Sequence, residues 1–187
     1  MNEVTQAGVQ DKSGEMAEDV ADAARREADV YRGDNPRPLA GYLAVLGIYG
    51  VVVAVAAVLA ALTGRTLPPR WRVQDLVTMT LGTHKLSRTL SKDAVTSPLR
   101  APFTQYAGTA GPAEVNEEVR EDSQLRHSVG ELLTCPFCLD MWVVTAFTIG
   151  LIFAPRLTRL IAGSFTALAG ADFLQFAYSR AQRSAES

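Results

Sequence analysis

Hydrophobic and polar positions divide the chain into blocks of sharply different character. Residues 39–63 contain no charged side chain. At about 1.5 Å of rise per residue, such a helix crosses a hydrocarbon core of roughly 30 Å with some tilt. A chain of 20.1 kDa has little core in which to hide a helix apolar on all sides, so the stretch reads as a transmembrane helix. Gly41, Gly47 and Gly50 offer it close helix approach. A second apolar run, residues 136–154, opens at Pro136 and closes before Pro155, with Asp140 its one charge. A third, residues 157–178, carries Arg159 near its start and Asp172 far along it. Only residues 154–158 join these two runs, so they pair as a tight antiparallel hairpin.

Residues 73–90 are mixed. Leu76, Val77, Met79 and Leu81 are apolar around Asp75, and His84, Lys85 and Arg88 then intervene between Leu81 and Leu90. The pattern suits a helix lying flat on a membrane or one crossing it with a basic inner end. Residues 64–72, basic and proline-broken, connect it to the first span and carry the interfacial Trp71. The remaining blocks are polar. Residues 1–38 hold nine acidic side chains against five basic ones and no apolar h-region. Residues 13–31 have helical composition but a weak apolar stripe, so the segment is expected to be a solvated, flexible tail. Residues 91–126 read as a loop, with Pro98 and Pro102 pinning its start and an acidic run at 114–122 taken as solvated surface. Residues 125–133 regain apolar spacing and predict a short interfacial helix.

The pattern as a whole predicts an all-α membrane protein, a small multi-pass helical bundle. A polar tail (1–38) precedes the first transmembrane helix (39–63). A membrane core domain (73–178) contains a helix (73–90), a long cytoplasmic loop (91–134) and a helical hairpin (135–178), and residues 179–187 form a C-terminal tail. Four spans are preferred and three are the alternative. With four, both termini share a side that collects Arg25, Arg26, Arg32, Arg37, Lys92, Arg100, Arg120, Arg126, Arg180 and Arg183. The other side keeps Arg65, Arg70, Arg72, Arg156 and Arg159. The positive-inside rule then assigns the termini, the loop and the cysteines to the cytoplasm. With three spans the count is nearly balanced.

Charge and motifs narrow the chemistry. The formal net charge is −2 and no basic stripe is interleaved with aromatics, which argues against nucleic acid as a partner. The lipid bilayer is the first partner, and a second copy or another membrane protein the next. No Gly-rich phosphate loop, nucleophile elbow or paired-histidine zinc signature is present. An enzyme is therefore the less favoured class. Depth counting along the helices brings Lys85, Arg88, Asp140 and Asp172 to one layer near the inner leaflet, where unpaired charge is costly. Arg88 and Lys85 are expected to pair with Asp172 and Asp140, and Asp172 to matter more than Asp75. Asp93 and Arg100 in the loop are candidates for partner binding or for a structural salt bridge.

The two cysteines, Cys135 and Cys138, form a C-P-x-C sequence in which Cys135 is placed to cap the helix that Pro136 starts. Three readings stay open. A helix N-terminus stabilises a thiolate, so the pair suits thiol-redox chemistry. It also supplies half of a zinc site, completed by His127, His84 or a second copy. Or the cysteines cap and pack at an interface.

His84-Lys-Leu-Ser-Arg88-Thr-Leu, then Ser97-Pro-Leu-Arg100-Ala-Pro-Phe103, Gly130-Glu-Leu-Leu-Thr-Cys135-Pro-Phe-Cys138-Leu-Asp-Met-Trp142 and Gly170-Ala-Asp172-Phe-Leu-Gln-Phe resemble, in order, the domain of unknown function 1360 family of bacterial membrane proteins. The resemblance spans roughly residues 73–178. It implies a multi-pass inner-membrane protein with a basic helix end, a proline–arginine loop and a cysteine-led membrane helix, and it implies no activity. Asp140 stands where that pattern commonly has a small residue. The expected function is a scaffold, sensor or accessory factor of an envelope process, the alternative a thiol-redox or zinc-binding factor.

Overall fold

A computed structural model describes residues 2–34, 37–67 and 70–186. The chain divides into two units, Met1–Leu39 and Ala40–Ser187. The first is built on one helix, α1 (Asn2–Arg32), longer than the 13–31 stretch of helical composition. Ion pairs one turn apart, Asp22–Arg25 and Asp29–Arg32, brace its exposed surface. Gly33 ends it in the left-handed conformation that a residue with a Cβ rarely adopts.

In the second unit, α2 (Leu39–Leu62), α3 (Val73–Lys92), α4 (Ser97–Arg100), α5 (Gln124–Thr134), α6 (Pro136–Phe153) and α7 (Pro155–Ala185) combine with strands β1 (Thr104–Gly111) and β2 (Glu114–Val119). Three of these helices, α2, α6 and α7, are long and apolar enough to cross a membrane. Helix α3 is too polar to meet that description, yet it packs against both α6 and α7. Met79 of α3, Val143 and Phe147 of α6 and Ala162 of α7 form the buried core, with Leu86, Leu90 and Leu151 around it. Gly82 lets α3 and α7 touch, since a Cβ there would lie 2.8 Å from the Ala162 carbonyl oxygen. The outer surfaces stay apolar, with Leu43, Val51 and Leu62 of α2 and Leu160 and Leu174 of α7 all more than 60% exposed.

Polar contacts give the helix directions. Asp75, at the start of α3, meets Arg159 at the start of α7, and Lys85 further along α3 meets Asp172 further along α7. The two helices therefore run parallel, and α6, the first arm of the 136–185 hairpin, runs against both. Helix α2 is attached more sparsely. Tyr42 donates to Glu131 of α5, and Tyr49 shares a hydrogen bond with Thr145 and stands edge-on to Trp142, ring centres 5.3 Å apart.

The segment between α3 and α5 departs from expectation. Instead of a loop it contains a β-hairpin, so the fold is mostly helical rather than all-α. β1 and β2 pair antiparallel from Thr104 opposite Val119 to Gly111 opposite Glu114, with two bulges. Its organiser is Arg100, fully buried, whose guanidinium donates to both oxygens of Glu117, to the carbonyls of Leu90 and Asp93 and to the hydroxyls of Thr96 and Ser97. Glu117 accepts further from Ser97 and Thr104. One buried cation thus ties the end of α3, α4 and both strands together.

Candidate functional site

The charged positions singled out from sequence fall into three places. The first is structural. Arg100 belongs to the buried network, its side chain 0% exposed and that of Glu117 6%, so Arg100 is not presented to a partner. Burial pushes the Glu117 carboxyl up, but hydrogen bonds from Arg100, Ser97 and Thr104, with the Arg100 charge, more than reverse this and hold it below the ordinary range.

The second place is the cysteine end of α6. Pro136 occupies the first helical turn and Cys135 is the cap, its Sγ accepting from the Cys138 backbone N–H at 3.2 Å. Both cysteines are free thiols; Cys138 is exposed and Cys135 half-buried. His127 does not turn to them. Its Nε2 lies 3.3 Å from Glu131 within α5, one helical turn away, and Glu131 also accepts from Tyr42. Among the described residues no group of three His, Cys, Asp or Glu side chains is arranged to hold a metal ion. Cys135, Cys138 and His127 do not form such a group; the His127 imidazole stands beside Glu131.

The third place is a cavity of about 720 Å³ between the second half of α3, the end of α7 and the tip of the β-hairpin. Lys85, Arg88, Asp93 and Asp172 all line it, joined by His84, Glu114, Phe173 and Phe176. Asp172 pairs with Lys85, at 2.8 Å, rather than with Arg88. Arg88 does not pair with Asp140. Its Nε and Nη2 reach Glu114 at 2.6 and 2.9 Å, because the hairpin folds back over α3 and brings a carboxylate nearer than α6 can. Asp140 sits on the opposite side of α3, where it accepts from the Ser87 hydroxyl. The single polar layer is thus two clusters, one facing the cavity and one facing α6. The cavity's geometry suits binding: charged pairs join α3 to α7 and to the hairpin tip, and Phe173 and Phe176 stand beside Asp172 on the α7 wall.

Sequence reasoning passed over Glu114 and Glu117, both placed in a solvated acidic run. A usable signal was present, since Val115, Glu117 and Val119 alternate with exposed positions as a half-buried strand does. The bidentate Asp75–Arg159 pair was also missed as a contact, with nitrogen–oxygen distances of 2.8 and 2.9 Å.

Three apolar membrane-length helices, a polar fourth helix wedged beside two of them and a charged cavity at one end are the features of a helical membrane protein. The chain belongs to the family described as protein of unknown function (DUF1360), whose model matches residues 78–178, more than half of its length. No curated protein and no solved structure matches it.

Proposed function

We propose that this chain is a four-span protein of the bacterial inner membrane that works by binding rather than by catalysis, as a scaffold, sensor or accessory factor of an envelope process. Both termini, the hairpin-bearing loop and the cysteines lie on the cytoplasmic side. The observation that carries the reading is the cavity, where α3, α7 and the hairpin tip bring three acids and two permanent cations around an open, partly aromatic space at the level of the membrane surface. Counting from Pro155, Asp172 stands about 25 Å along α7, so the cavity meets the bilayer where headgroups begin. Support for α3 as a fourth span comes from its place between α6 and α7, with Asp75, Lys85 and Ser87 bonded inward to these neighbours. The charges that lower its hydropathy are largely internal partners.

The test is retention of an amphiphile. The full chain, purified in mild detergent from membranes, is expected to keep bound lipid in native mass spectra, and Ala110→Trp at the hairpin tip, which fills the cavity from an exposed position, is expected to lose it. Equal retention by the variant would sink the reading. Thiol-redox chemistry at Cys135 and Cys138 is the second reading, supported by two free thiols within one turn and the exposure of Cys138. Mild oxidant should then abolish thiol alkylation and reductant restore it; alkylation indifferent to oxidant removes this reading.

A further inference from the structure

We propose that the cavity seats the headgroup of a zwitterionic phospholipid of the phosphoethanolamine type, with its phosphate toward the membrane and its ammonium toward water. The inference rests on the lipid-binding reading above and adds the headgroup. Its ground is the order of charges along α3. Lys85 and, one turn on, Arg88 come first, each holding a carboxylate (Asp172 and Glu114), and the acid that no cation holds, Asp93 at the end of α3, comes last. From Lys85 to Asp93 is about 12 Å along the axis, toward the cytoplasmic side of the proposed topology. A phosphoethanolamine headgroup presents the same polarity in reverse, anion deep and ammonium shallow.

Both cations keep donors to spare. Lys85 spends one of its three N–H groups on Asp172, and Arg88 meets Glu114 through Nε and Nη2 while its Nη1 bonds nothing among the described residues. A phosphate can therefore add to the two without breaking either ion pair. At the shallow end, the Asp93 carboxylate has no hydrogen bond or ion pair among the described residues and stands open to an ammonium donor. Charge balance points the same way. With His84 neutral the lining carries one more acid than base, which opposes a purely anionic ligand, whereas a zwitterion adds no net charge.

The experiment presents the delipidated full chain, in detergent, with phosphatidylethanolamine, with phosphatidylglycerol of the same acyl chains, and with chain-free glycerophosphoethanolamine, read by native mass spectrometry. Phosphatidylethanolamine should be retained at least about tenfold more than phosphatidylglycerol, the effect of one charge-assisted contact. The chain-free headgroup should bind far more weakly. A double exchange, Arg88→Glu with Glu114→Arg, keeps an ion pair between α3 and the hairpin tip but removes the second cation beside Lys85, and it should erase the preference. Circular dichroism on that variant confirms the helices; should it not fold, Asp93→Asn on the exposed cavity wall is read instead and should cut the preference several-fold. Equal retention of both lipids would overturn the headgroup assignment and leave the lipid-binding reading standing. Retention of neither overturns both. An unchanged preference in the exchanged or Asp93→Asn protein, or tight binding of the chain-free headgroup, also refutes the inference.

Discussion

At the residue scale the molecule turns on Arg100. An exposed arginine in a loop is a recognition element; a fully buried one bonded to Glu117 and to four other groups is a structural one. Removing one partner of such a pair strands the other charge, so Arg100→Met should weaken the hairpin region by about 3–5 kcal/mol. The pH dependence gives the sharper test. In the native chain Glu117 titrates below its ordinary value of 4.5, so its contribution is present above that pH and is lost as pH falls through the lowered value. In Arg100→Met the buried carboxyl lacks its cation, its pKa rises, and acid relieves the strain instead. Hydrogen exchange of the amides in residues 104–119 should therefore speed up on acidification from pH 6 to 4 in the native chain, after correction for intrinsic rates, and slow down in the variant. The same sign of slope in both would remove Glu117 as the group responsible.

At the element scale, α3 is the helix whose environment decides its role. Its Asp75 is 7% exposed and held by both arms of Arg159, whereas the Asp172 side chain that meets Lys85 is 47% exposed. This geometry argues for the opposite ranking to the expected one, with Asp75 outweighing Asp172. Asp75→Asn should lower the unfolding temperature in detergent by roughly 4 °C or more, and Asp172→Asn by about half as much; the opposite ranking would mean that α3 is anchored at its cavity end. This reversal shows where legibility stopped. Helices α2, α6 and α7 were plain because unbroken apolar runs bounded by Pro136 and Pro155 leave few alternatives; counting along them put Lys85 and Asp172 at one depth, but depth alone does not choose between Lys85 and Arg88 as the partner. Asp75–Arg159 was hidden because both residues sit in first turns, where a charge is equally at home facing headgroups. The hairpin was hidden because β1 is rich in Gly, Ala and Thr and shows no apolar alternation, while in β2 the alternation of Val115 and Val119 passes through the charged Glu117. What folds them is a buried ion pair between distant positions, which local patterning does not encode.

At the scale of the whole molecule, the side of the membrane is the consequence that follows from the span count. A three-helix crossing by α2, α6 and α7 alone leaves α3, with its length of about 30 Å, outside the bilayer. Yet α3 runs parallel to α7 from the Asp75–Arg159 pair to the Lys85–Asp172 pair, so it shares whatever thickness of membrane α7 crosses between them. Excluding α3 would also strip Met79, Gly82 and Ser87 from the neighbours that bury them. Four spans put Cys138 on the same side as both termini, and its exposed thiol makes it a natural reporter. A membrane-impermeant maleimide should leave Cys138 unlabelled in intact cells and label it in inside-out vesicles, while a cysteine introduced at Thr66, in the connector between α2 and α3, should show the reverse. Labelling of Cys138 from outside intact cells would overturn the orientation, and labelling of both positions from one face would overturn the crossing of α3.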